Sequence, residues 1–133
     1  GFITNLQEVI ASLASQKDRT MRIIGGGKDT GFYSIIGDWY PEYVKLLAKY
    51  RISKKLIAPS SYSSEFKKKF VAEPRTGLRT MAKGLSSPTY TRITEDMISI
   101  EMYEPEIIVI QIRNPAIASA YLDSFKLLWE SAK

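Results

Sequence analysis

Met97-Ile98-Ser99-Ile100-Glu101-Met102-Tyr103, then Glu104-Pro105-Glu106, then Ile107-Ile108-Val109-Ile110-Gln111-Ile112 and Asn114-Pro115 form the run that decides the fold. Its first segment alternates apolar and polar residues with the period of a half-buried strand. Pro105 marks a turn, because its fixed φ suits one and its ring removes the donor a ladder needs. The β-branched segment after it has the composition of a strand covered on both faces. Asn114 is a favoured helix N-cap and Pro115 suits the first helical position. Further on, Ile117, Tyr121, Phe125 and Leu128 recur at helical spacing, with Ser119, Asp123, Lys126 and Glu130 opposite them. A closing helix that lays this apolar stripe on a sheet is the expectation.

Working back towards the start, residues 2–16 read as a helix. Thr4 and Gln7 have capping-box spacing, and Leu6, Val9, Ile10, Leu13 and Ala14 make its stripe. A strand over 20–24 runs into Gly25-Gly26-Gly27. Asp38 is placed to cap a helix reaching to about Ile52. Lys55-Leu56-Ile57-Ala58 is a short strand stopped by Pro59-Ser60-Ser61, and Ser63 caps a short helix through Val71. A strand is expected over 78–82 and a loop over 84–88. Tyr90-Thr91-Arg92-Ile93-Thr94, a turn at Glu95-Asp96 and the run from Met97 make an antiparallel meander. The first half is βαβ-like and implies parallel pairing; the second half is joined by hairpins. Together they predict one α/β domain, a mixed sheet of about six strands with helices on both faces. A chain of 133 residues suits a single domain with one core.

Composition removes several kinds of function. The chain has no cysteine, which excludes disulfides, thiolate nucleophiles and cysteine zinc sites. It has no histidine either, which excludes a Ser-His-Asp triad, an imidazole metal site and a histidine base. No apolar run approaches the roughly 18 residues of a membrane span, and no secretory signal opens the chain. A cytoplasmic place fits this composition, with no membrane partner and no cofactor expected. Net charge is +5, with basic residues at Lys54-Lys55, Lys67-Lys68-Lys69 and Arg75, Arg79 and Lys83. A nucleic-acid surface or a solvated face would each produce this pattern, and Lys67 to Lys69 go right round a short helix instead of forming a stripe.

The most suggestive loop is Gly25-Gly26-Gly27-Lys28-Asp29-Thr30-Gly31. Glycines directly after a strand let a backbone approach a ligand closely, and Lys28 can meet an anion. The loop is neither a G-x-G-x-x-G fingerprint nor a P-loop. If its strand and the one before Pro59-Ser60-Ser61 are parallel neighbours, their carboxyl ends share one edge and the two loops meet there. The candidate ligand-binding residues are therefore Gly25, Gly26, Gly27, Lys28, Ser60 and Ser61, with Arg79 approaching from the third strand. Backbone N–H groups, hydroxyls and one or two cations suit a small polar or anionic metabolite. On this reading Gly26→Val blocks binding and leaves the core folded. The competing account is that these loops only turn the chain.

A family resemblance covers most of the chain in order. The hairpin with its Ile/Val-rich second strand, Asn114-Pro115-Ala116-Ile117-Ala118 and Phe125-Lys126-Leu127-Leu128-Trp129-Glu130 resemble the end of the effector domain of TrmB-type transcriptional regulators. Asp38-Trp39-Tyr40 through Tyr50-Arg51-Ile52 resembles that domain's first long helix, and Lys54-Lys55-Leu56-Ile57-Ala58-Pro59 its second strand. Ser64-Glu65-Phe66-Lys67-Lys68 and Leu78-Arg79 fall where it has a short helix and a third strand. The resemblance implies a phospholipase-D-like α/β unit that follows a winged helix-turn-helix, with sugar or other small-metabolite sensing in some relatives. It implies a homodimer that meets DNA only through that N-terminal domain. A first residue of Gly in place of Met is what an excised fragment would carry. Catalysis of the phospholipase-D type needs a histidine nucleophile, so the unit here is expected to be catalytically empty.

Three readings follow: a ligand-sensing or dimerisation domain of a transcriptional regulator, a nucleic-acid-binding or scaffolding module, and a small carboxylate-dependent enzyme. Asp29, Asp38, Glu65, Glu73, Glu95 and Asp96 are available to the last, but none forms a pair at helical spacing. The purified chain is expected to leave a generic phosphodiester substrate intact. Turnover above buffer that survives repurification would overturn that expectation.

Overall fold

The computed structural model describes residues 1–81 and 87–133. Helix α1 (Phe2–Ala14) leads into strand β1 (Thr20–Ile24). Helix α2 (Gly31–Ile36), a 3-10 turn at Gly37–Trp39 and helix α3 (Tyr40–Lys49) then return the chain to strand β2 (Ser53–Pro59). Helix α4 (Ser64–Ala72) connects β2 to strand β3 (Thr76–Met81). The meander β4 (Tyr90–Ile93), β5 (Met97–Met102) and β6 (Ile108–Arg113) precedes the closing helix α5 (Pro115–Ser131).

These strands form one mixed sheet in the order β3-β2-β1-β4-β5-β6. β1 pairs parallel with β2 and β2 parallel with β3, whereas β1–β4, β4–β5 and β5–β6 are antiparallel. The sheet divides as the connections require: helices of βαβ units between parallel neighbours, tight turns between antiparallel ones. Among the described residues no helix is long and apolar enough to cross a membrane.

The two faces are covered unequally. Helices α1 to α4 bury Leu6, Val9, Leu13, Tyr43, Leu47 and Phe66 against Met21, Ile23, Leu56, Ala58, Tyr90 and Met97. On the other face, among the described residues, α5 alone packs Phe125 against Ile57 and Ile93, with Leu122, Leu128 and Trp129 beside them. It crosses diagonally: it starts just after β6, and by its end the Lys133 backbone N–H donates to the Thr80 carbonyl at 2.9 Å on β3.

Local signals are met unevenly. Ser63 caps α4 by accepting from the Phe66 amide at 3.1 Å, and Asn114 caps α5 by accepting from the Ile117 amide at 3.0 Å. Thr4 caps nothing, because α1 begins at Phe2 and Thr4 lies inside it. Asp38 sits in the 3-10 turn, so the helix expected from it divides into that turn and α3, and α2 is an element the aromatic-rich sequence concealed. β6 is an edge strand with no residue fully buried, so the cover expected on both its faces is not found. The face of α5 that meets the sheet runs through Ala118, Leu122, Phe125 and Trp129, leaving Ile117 and Tyr121 exposed. The expected loop over 84–88 and the basic Lys83 fall mostly on residues 82–86, outside the described ones.

Two ion pairs lie inside the larger core. Lys54 on β2 pairs with Glu73, which also accepts from the Tyr40 hydroxyl at 2.5 Å. Arg92 on β4 pairs with Glu101 on β5 at 2.9 Å, both side chains fully buried. Glu101 further accepts from Asn5 of α1 at 3.0 Å, from Ser99 at 2.8 Å and from Tyr103 at 2.8 Å. Glu101→Ala is expected to destabilise the fold by about 3–5 kcal/mol in urea unfolding, because Arg92 is left buried without its partner. The double exchange Arg92→Met with Glu101→Leu should recover most of that loss, since an apolar pair removes both desolvation penalties. A double variant no more stable than the single one would contradict this account.

Candidate functional site

β1 and β2 end side by side, so the loops that follow them start at one edge of the sheet, as the parallel pairing demands. The Gly25 amide donates to the Ile57 carbonyl at 2.8 Å, and the Tyr62 hydroxyl donates to the Gly26 carbonyl at 2.7 Å. Burial pushes the Tyr62 phenol up to about 12. The glycine loop and the Pro59-Ser60-Ser61 loop are thus brought together, with Tyr62 bridging them. Ser60 and Ser61 are exposed at this edge, and the Ser60 amide donates to the Met81 carbonyl at 3.1 Å.

The glycines serve the chain itself. A Cβ on Gly26 would stand 2.1 Å from the Thr89 carbonyl oxygen and 2.5 Å from that of Ser87. Gly27 has φ +61°, a left-handed conformation that favours glycine, and its amide donates to the Ser87 carbonyl at 2.8 Å. Close backbone approach is therefore the reason for Gly26, but the approaching backbone is the segment before β4. The expectation that Gly26→Val leaves the core folded is accordingly corrected.

Neither of the two cations sits between the loops. Lys28 is exposed and pairs with Glu104 at 3.3 Å. Arg79 lies on the opposite face of the sheet, where its guanidinium stacks 4.6 Å from the Trp129 ring centre and donates to the Trp129 carbonyl at 2.6 Å. Its register with Ile57 explains this: parallel partners share a face, and Ile57 packs towards α5.

Beside the joined loops a cleft of about 400 Å³ opens between α2 and α4. Asp29, Thr30, Tyr33 and Ser34 line one wall; Ser63, Glu65, Phe66 and Lys69 line the other. Asp29 is held by the Ser63 amide, which donates to its carboxylate at 2.7 Å, and hydrogen bonds from Ser63 keep its carboxyl below the usual range. Lys69 lies 4.1 Å from the Tyr33 ring centre and 4.8 Å from that of Tyr40. The Tyr33 hydroxyl is buried without a hydrogen-bond partner. Asp29 stood within the suggestive loop, Tyr33 within the aromatic stretch 32–43 and Lys69 within a basic cluster, but no sequence signal joined them or pointed to Ser34, since helices distant in the chain bring them together.

The lysine clusters are also dispersed. Lys54 is buried against Glu73, Lys55 lies 5.4 Å from the Trp129 ring centre, and Lys69 covers two tyrosines. Among the described residues no three His, Cys, Asp or Glu side chains converge as metal ligands. No family model matches this chain. No curated protein matches it either.

Gly26→Val should destabilise the fold by upward of about 2 kcal/mol in urea unfolding, since backbone must move to admit a Cβ. An unchanged midpoint would show that the loop yields freely.

Proposed function

We propose that this chain is the ligand-sensing effector domain of a TrmB-type transcriptional regulator, working in the cytoplasm without catalysis of its own. The observation that carries the reading is the cleft between α2 and α4, beside the carboxyl ends of parallel strands. Open α/β sheets take their ligands at such an edge, where strands end and helices begin. The absence of histidine and cysteine adds support, because it leaves this edge without the usual nucleophiles and bases.

Chemistry narrows the ligand. Asp29 and Glu65 face one cation, Lys69, while Thr30, Ser34 and Ser63 offer hydroxyls and Tyr33 and Phe66 offer ring surface. Lys28 and Arg79 are engaged elsewhere, so the anionic alternative loses the cations it relied on. A neutral, hydroxyl-rich molecule such as a sugar matches this lining: carboxylates and hydroxyls accept and donate to its OH groups, and aromatic rings cover its C–H face.

Calorimetric titration of the chain with neutral monosaccharides and polyols, alongside sugar phosphates and dicarboxylates, tests the assignment. Binding should be confined to neutral ligands and abolished by Ser34→Trp, an exposed position where a large ring fills the cleft without touching the core. A metabolite bound with the same affinity by the Ser34→Trp variant would overturn the site. A full-length protein with no winged helix-turn-helix ahead of residue 1 would overturn the regulator class.

A further inference from the structure

β6 is an edge strand with an unusual composition for its position. Edge strands expose a row of unpaired backbone N–H and C=O groups, and proteins ordinarily guard them with lysines, prolines or bulges. Residues 107–112 carry no charge and no proline. Ile107 and Ile110 are each 51% exposed, Ile117 42%, Tyr121 38% and Ile108 37%.

Four of these side chains, Ile108, Ile110, Ile117 and Tyr121, belong to one surface, whereas Ile107 lies beside Val109 and Gln111 on the α1 face of the same edge. Ile108, Ile110 and Ile112 pair with Met102, Ile100 and Ile98, all on the α5 side of the sheet, while Gln111 on the other side donates to Asn5 of α1 at 2.8 Å. As α5 crosses from β6 to β3, its Lys126 and Glu130 flank lies over Arg22 and Lys55. The opposite flank, with Ile117 and Tyr121, therefore faces the uncovered end of β6. The area left open on the α5 face is on the order of 300 Å², the size of a monomer's largest patch. Pairing through the edge also covers Ile107 on the α1 face, and the two faces together approach the apolar share of the roughly 800 Å² that each partner buries in a stable complex.

We infer that β6 pairs antiparallel with β6 of a second copy of this chain, joining two six-stranded sheets into one across a two-fold axis at Ile110. Antiparallel pairing brings the acidic end of each strand, at Glu106, beside the basic end of the other, at Arg113; parallel pairing would set like charges together. Centred on Ile110, it places Ile108 opposite Ile112 of the other copy, so both apolar faces merge and no charge is buried. The open backbone groups of both edges are satisfied at once. This interface is independent of the sensor reading: it concerns the far edge of the sheet from the parallel strands, and ligand binding can fail without affecting it.

Sedimentation velocity across a concentration series, with circular dichroism as the folding check, tests the pairing. The chain should sediment as a dimer, and Ile110→Lys should weaken association at least about a hundredfold while the exposed position keeps the fold intact. Because the native chain has no cysteine, Ile110→Cys gives a direct test of register: the two-fold axis sets the thiols opposite each other, and mild oxidation should link them. Leu127→Cys, at an exposed site away from the patch, should remain unlinked under the same conditions. A monomer at every concentration would overturn the inference and leave the face to a different partner. A dimer indifferent to Ile110→Lys would overturn it equally.

Discussion

The larger core is organised around a charge that water never reaches. Arg92 rises from β4 between the rings of Phe32 and Tyr90, each centred 4.8 Å from the guanidinium, and finds its counter-charge on the neighbouring strand in Glu101. Burying either ion alone would be prohibitive, so each fixes the place of the other. Asn5 and Ser99 complete the shell around Glu101, and Asn5 also accepts from Gln111 of β6. One network thereby holds α1, β4, β5 and β6 in register. The register of an antiparallel meander is otherwise vulnerable, because a slip of one residue exchanges its two faces. Here a slip would move Arg92 and Glu101 into the small apolar core beneath α5. Such networks add less to net stability than to the choice of one arrangement over its neighbours.

A second constraint is geometrical. Six strands at their usual spacing span about 24 Å, whereas one helix with its side chains is about 10–12 Å across. Four helices cover one face, but α5 must serve the other by itself. Its diagonal course is the best single helix can do: it starts near β6, buries Phe125 at the centre and ends over β3, where Trp129 is packed by Arg79 and Lys55. What it leaves bare is the first half of β6, at Ile108 and Ile110. The apolar flank of α5 and the isoleucines of the edge strand are thus exposed for one reason, a shortage of cover.

The parallel half of the sheet shows the opposite economy. There the chain fills its own edge: glycine amides meet backbone carbonyls, Tyr62 closes over Gly26, and Asp29 holds the start of α4. Close packing at the loops displaces the open space sideways, to the cleft between α2 and α4. Loops that merely turn the chain and a cleft beside them are therefore compatible: Gly25, Gly26, Gly27, Lys28, Ser60 and Ser61 do not line the cleft, whereas Asp29 and Thr30 do.

Much of this was legible in the residues. Alternation in Met97 to Met102 and the β-branched run after Pro105 specify strands, and Ser63 and Asn114 specify helix starts, because those signals act within a few residues of themselves. The order of elements then dictates parallel pairing first and a meander second, which suffices for a six-stranded mixed sheet and for the meeting of the two loops. Three matters needed the tertiary structure. Ile107-Ile108-Val109-Ile110 has the composition of a central strand, and only the strand order β3-β2-β1-β4-β5-β6 puts it at an edge. Arg79 is one residue from changing faces, and only its pairing with Ile57 sends it to Trp129 and away from the loops. Lys54 and Arg92 look like surface cations, yet each lies buried against a carboxylate from elsewhere in the chain. A sequence states what each segment prefers by itself; which strand has no neighbour, which face a residue shares and which charge meets which are properties of pairs, decided when the chain closes on itself.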